Sequence, residues 1–529
     1  MISAKTSMTL KHPFLDYEPV RRSPSSTSAD EQTVDDKSDF KRRETPRTAD
    51  DEQHRKRDAA SAQGETFYKE SVAEDMLSPG LRKRDLLSHE LQERNIGGQE
   101  DKLEPKAVRE KWILKHGHSV SFGGIFLFTT LVFFRPYELF PSLSWLSSAA
   151  FWIALATLVV YVLTQLGLEG TITARPREVN LVLLLLLTGA LSIPLALEPL
   201  RAFYSFTEFL KVVLIFIVMI NVVRTEKRLN RLWILVLIAT CLLSIGALND
   251  YRLDRFALQG TRIRGMIGGL FDNPNDLALH LVTMIPIALA LFFASRNPLV
   301  KVLFFVTVIL ITGGVVATFS RGGFLALVAA GVLLLWKFAR RSRLLIAPLA
   351  VTVVVLFVLF APGGYRTRLS TTGDDSAVAR FDDLKRSVFI AARHPLLGVG
   401  MDNYILFSNS NKATHNAYTQ VASEMGAAAA VFYILFILAP FRGLRRIEHE
   451  TYQVKSRRRF YYTAIALQAS LAGYMVASFF ASVAYLWYIY YLVAYSICLR
   501  RLYDSVVERD LARLELPANG NFQNKSIFE

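Results

Sequence analysis

Four short stretches of this 529-residue chain hold side chains that could do chemistry together. Ala413-Thr414-His415-Asn416-Ala417 puts a histidine where a polar segment becomes an apolar run, with Glu424 and Gly426 following. An imidazole titrates near neutral pH and can take a proton from a hydroxyl. Ala379-Arg380-Phe381-Asp382 lies upstream, ahead of the turn Pro395-Leu396-Leu397-Gly398-Val399-Gly400, which returns the chain toward His415. Ser320-Arg321-Gly322-Gly323 sits between two apolar runs, where a helix N-terminus and a guanidinium both suit phosphate. Arg262-Ile263-Arg264-Gly265 leads into Phe271-Asp272-Asn273-Pro274-Asn275-Asp276, with Asn275 or Asp276 placed to cap the next helix. Each stretch has a plainer reading: a surface or capping histidine, arginines snorkelling to an interface, a solvated loop entering a helix.

The elements that must position these residues are membrane helices. From about Val120 to Leu499 the chain is a series of apolar runs, each roughly the 20 residues a helix needs to cross a bilayer, and without strict alternation. The fold class expected is all-α, a polytopic integral membrane protein of about twelve crossings. The first is Val120–Phe134, the ninth Leu344–Pro362, the tenth Asn416–Pro440 and the last Val483–Leu499. Residues 1–118 read as a disordered, charged tail without enough apolar residues for a core. Residues 119–500 form the membrane domain, and residues 501–529 a second tail.

The net charge is +15. Acids and bases nearly balance before Ser119, so the excess lies in the loops and tail of the membrane part, where topology explains it and nucleic-acid binding is not needed. Every alternate loop is basic, which puts both termini on the cytoplasmic side of a bacterial inner membrane. Two long loops, residues 249–276 and 363–415, then lie on the periplasmic face and carry arginines against that bias. An anionic ligand there is one reason for them, and a histidine in their company suits a sugar hydroxyl attacking a phosphate-linked glycan. Within the second loop, Val378, Phe381, Leu384, Val388 and Phe389 make an amphipathic stripe for a short helix lying on the membrane face, with Arg380 beside it and Lys385 and Arg386 toward water. Glu208 and Lys211, three residues apart inside the fourth crossing, are spaced to pair. No Cys/His cluster has metal spacing and no glycine loop of the nucleotide-binding type is present.

In these residues the chain resembles the O-antigen ligase and polymerase superfamily of bacterial membrane proteins. The matching pieces are Arg264-Gly265 with Phe271-Asp272-Asn273-Pro274-Asn275; Thr318-Phe319-Ser320-Arg321-Gly322-Gly323; Arg380 with the Pro395–Gly400 turn; and His415-Asn416 with Glu424 and Gly426. The resemblance implies a GT-C-like fold and glycan transfer from an undecaprenyl-diphosphate carrier to a glycolipid or glycan acceptor, without nucleotide, metal or other cofactor. It implies His415 as general base, Arg321 and Arg380 as the clamp on the leaving diphosphate, and Arg264, Asn275, Asn416 and Glu424 as substrate-binding residues. A ligase and a polymerase are both open, as is a lipid-linked glycan transporter without chemistry; oligomeric state is not legible.

Overall fold

A computed structural model describes residues 112–255, 263, 265–267, 269–339, 375–408 and 413–515. The N-terminal tail, the ninth expected crossing and Arg264 lie outside the described residues. Every long described element is an α-helix. In chain order they are α1 (Trp112–Phe134), α2 (Ala149–Glu169), α3 (Arg177–Ser192), α4 (Pro199–Val222), α5 (Glu226–Arg252), α6 (Pro274–Ala294), α7 (Pro298–Ala317), α8 (Arg321–Ala339), α9 (Asp375–Arg393), α10 (Ala417–Met425), α11 (Ala427–Thr451), α12 (Arg458–Ala477) and α13 (Trp487–Glu515). Among the described residues ten helices are long and apolar enough to cross a membrane: α1 to α8, α11 and α12.

Three expectations change. The first crossing belongs to a helix that starts at Trp112, inside the stretch assigned to the tail. The tenth apolar run is two helices, because Gly426 adopts φ +89 and breaks the run between α10 and α11. The last expected crossing is the front of α13, whose tyrosines, arginines and later charges keep it out of the ten apolar helices.

The starts of the helices follow from local chemistry. Pro199, Pro274 and Pro298 each stand in a first turn, where the missing N–H costs nothing. Thr225, Asn273 and Asn297 accept backbone N–H bonds as N-caps. The cap of α6 is therefore Asn273, and neither Asn275 nor Asp276 fills that role.

At the centre of the bundle α6 is buried along nearly its whole length. It lies against α12, where Ser470 Oγ donates to the Thr283 carbonyl at 2.7 Å. By contrast α2 and α7 expose most of their length, as helices facing lipid do. At one end of the bundle the basic loops come together. Arg500 forks onto the buried Glu178 carboxylate at 2.9 and 3.1 Å, Arg459 pairs with Glu226 at 3.6 Å, and Lys337 meets Glu448 at 2.6 Å. The residues singled out for chemistry lie at the opposite end. Glu208 and Lys211 do pair, at 2.5 Å, with both side chains nearly half exposed.

Candidate active site

The site builds from the start of α10. Asn416, not His415, caps this helix: its Oδ1 accepts from the N–H groups of Tyr418 at 2.9 Å and Thr419 at 3.0 Å. His415, one residue earlier, is half-buried and holds φ +52. That left-handed backbone is unfavourable for a side chain with a Cβ and persists only where the surroundings enforce it. The enforcement comes from both neighbours. Thr414 Oγ1 donates to the Asn416 carbonyl at 2.9 Å and lies 3.2 Å from Ser482 Oγ.

Ser482 belongs to the turn between α12 and α13, and this turn reaches the second arginine-bearing stretch. The Phe480 carbonyl accepts from Asn275 Nδ2 at 3.3 Å, and Asn275 Oδ1 accepts from Ser320 Oγ at 2.8 Å. Ser320 Oγ also accepts from the Gly323 N–H at 3.1 Å and so caps α8, whose first residue is Arg321. Gly322 is packed on Phe480, so that a Cβ there would stand 2.7 Å from the Phe480 Cβ. Phe319, two residues before α8, holds φ +53 just as His415 does two residues before α10. Two helix starts, each approached through a strained non-glycine residue, thus sit on one turn. One presents His415 and the other Arg321. Asn275 is spent on fixing this arrangement, through Ser320 and Phe480.

Arg380 arrives on α9, which packs on α10. The inward face of α9 is polar: Asp383 and Ser387 are buried, beside Ile390. Arg380, half-buried, stands one turn before Asp383 on a flank of that face. Arg386 turns only partly to water. It is half-buried and donates from Nη1 to the Phe407 carbonyl at 2.9 Å. Lys385 is exposed as expected.

The Pro395–Gly400 turn docks at the far end of α10 from His415. Val399 N–H donates to the Ser423 carbonyl and Gly400 N–H to the Glu424 carbonyl, both at 2.9 Å, while Ala427 N–H donates to the Pro395 carbonyl at 2.8 Å. Gly398 and Gly426 make the contact possible. Both have positive φ, and a Cβ on either would strike the other strand's backbone, at Glu424 or at Leu396. Glu424 is buried here and accepts from Tyr485 Oη at 2.9 Å. Burial pushes its carboxyl up to about 8, and the Asp402 charge adds to this against the opposing pull of Arg201. Burial raises Asp402 as well, although Arg201 Nε bonds its carboxylate at 2.9 Å.

His415, Asn416, Asn275 and Arg321 are therefore tied together through one turn, Arg380 comes in on the helix packed against α10, and Glu424 closes the other end of α10. Sequence reasoning missed the turn itself. Phe480, Ser482 and Tyr485 looked like the ends of two apolar runs; the only signal was the pair of serines, Ser478 and Ser482, at the junction. Among the described residues no group of three His, Cys, Asp or Glu could hold a metal ion.

Residues 305–434 match the protein-family model described as O-antigen ligase. The match supports the O-antigen ligase and polymerase superfamily for this region. The ligase-family region runs from inside α7 to the first turns of α11, and so takes in Arg321, Arg380, His415, Asn416, Glu424 and Gly426. Asn275 and the 478–486 turn lie outside it in sequence, yet complete the same cluster. No curated protein matches the chain.

Proposed function

We propose that the chain is a membrane glycosyltransferase of the O-antigen ligase type. It moves a glycan from an undecaprenyl-diphosphate carrier to an acceptor hydroxyl at the periplasmic face of the inner membrane, in the synthesis of a cell-surface polysaccharide or lipopolysaccharide. The observation that carries the reading is the shared turn at 478–482, which holds a candidate base and a candidate phosphate ligand on two strained helix starts.

In this reading the acceptor oxygen attacks the anomeric carbon as the bond from that carbon to the diphosphate oxygen breaks. His415 takes the acceptor proton, and the electron pair leaves with the carrier diphosphate. Arg321 and Arg380 bind the diphosphate oxygens, whose charge grows as the bond breaks; guanidinium forks match that geometry. The family resemblance adds Arg264, which lies outside the described residues, to this clamp. Attack from the side opposite the leaving group inverts the anomeric centre and needs no metal. Among the described residues Asn416 Nδ2 is buried without a hydrogen-bond partner, so it is a donor available to a substrate oxygen beside His415. Glu424, its carboxyl raised by burial to about 8, holds the far end of α10.

The test uses purified protein, a lipid-diphosphate donor bearing one glycan repeat and a separate glycolipid acceptor. One transfer to the glycolipid is expected. A ladder of longer lipid-linked glycans would instead make the protein a polymerase, and donor binding without any product would make it a transporter.

A further inference from the structure

The helix α9 is built inside out relative to a helix on a water-soluble protein. Its packed side carries Asp383 and Ser387, whereas Val378, Phe381, Val388 and Phe389 are exposed, each by more than half. Polar groups on the packed side are satisfied locally: Tyr404 Oη donates to the Asp383 carbonyl at 2.9 Å, and Ser387 Oγ to the Leu384 carbonyl at 2.8 Å. An outward apolar stripe on a 19-residue helix that is not among the membrane-crossing ones suits the plane of a bilayer surface.

Cations lie along that stripe. Lys385 Nζ sits 4.3 Å from the centre of the Phe381 ring, and the Arg393 guanidinium 5.4 Å from that of Phe389. Beside it an open groove of about 560 Å³ is lined by Asp382, Lys385, Arg386, Phe389, Ile390 and Phe407. The groove holds two cations against one carboxylate, and Asp382 is only loosely held by Lys385, at 4.0 Å across an exposed pair. At about 100° per residue, Arg386 lies about 120° around the helix from Arg380. The groove and the candidate active site are therefore on opposite flanks of α9.

We propose that this groove binds the phosphate headgroup of an anionic bilayer lipid. The acyl chains lie along Val378, Phe381, Val388 and Phe389, so that the lipid seats α9 on the membrane surface. A net positive groove bordered by exposed aromatic rings matches an amphiphile with a negative head. The apolar stripe alone would accept any lipid; the two cations make the choice of headgroup. This inference does not depend on glycan transfer.

The test places the full chain in nanodiscs of phosphatidylcholine containing a minor share of phosphatidylglycerol, extracts it into mild detergent, and counts retained lipids by native mass spectrometry. The wild type should retain phosphatidylglycerol in preference to phosphatidylcholine. Lys385→Glu with Arg386→Glu should lower that retention about 30-fold or more, given roughly one kcal/mol for each surface cation lost. Lys385→Gln with Arg386→Gln should give a smaller loss and serves if the reversal does not fold. Equal retention of the two lipids by the wild type, or unchanged retention in both double variants, would overturn the proposal. So would displacement of phosphatidylglycerol by glycan-free polyprenyl diphosphate, which would assign the groove to the donor instead.

Discussion

Thr414 and Ser482 meet at 3.2 Å, hydroxyl to hydroxyl, and this contact joins the loop that carries His415 to the turn that fixes Asn275 and Arg321. If it orients the histidine, removing either hydroxyl should cost turnover more than stability. We expect Thr414→Val and Ser482→Ala each to lower kcat, and the double variant to fall no further than the worse single one. A double-mutant cycle should give a coupling of about 1 kcal/mol. Additive losses would mean that the contact is incidental.

His415→Ala should reduce turnover by about 100-fold or more, the usual contribution of a positioned base, while donor binding is kept. Binding of the lipid-diphosphate donor and product formation, measured on one preparation, separate the two effects. Full turnover in the variant would end the assignment of His415 as base.

Arg380→Lys and Arg321→Lys keep the charge and lose the planar fork. Each is expected to lower kcat/KM about tenfold, with a weaker effect on acceptor KM than on donor KM. A lysine enzyme as fast as wild type at either position would show that the site there reads only charge, or nothing.

Gly426→Ala places a Cβ against the Leu396 carbonyl at a backbone angle that alanine avoids. The expected loss of stability is about 2 kcal/mol or more, read as a lower melting temperature in detergent. Ala427→Gly, one residue on and inside α11, should cost only about 1 kcal/mol.

Glu424 offers a pH test. Its carboxyl is raised from an ordinary 4.5 to about 8. A raised carboxyl contributes stability that is fully present below the unfolded value and is lost as pH rises through the folded one. The melting temperature of the wild type should therefore fall between about pH 5 and pH 8, and Glu424→Gln should flatten that slope. An unchanged slope in the glutamine variant would place the titration elsewhere.

The helical class and most crossings were legible because lipid-facing helices must be long and apolar, as α2 and α7 are. The break at Gly426 was not, since a glycine inside an apolar run is ordinary; only the contact with Gly398 and Leu396 makes it necessary. Asn416 and Arg321 were singled out by type and position. Their meeting through Phe480 and Ser482 was hidden because it joins residues far apart in sequence, with no local spacing to betray it. Asn273 took the cap expected of Asn275 or Asp276 for a steric reason: with Pro274 opening α6, the residue before the proline is the extended one that can cap.

The tyrosine-rich front of α13 has a consequence for biogenesis. From Tyr488 to Tyr503 this helix is enclosed almost entirely by other helices, so it need not be apolar enough to face lipid. Such a segment partitions poorly from a translocon into lipid by itself. It should enter the membrane only when α4, α5 and α11, synthesised before it, are already in place to receive it.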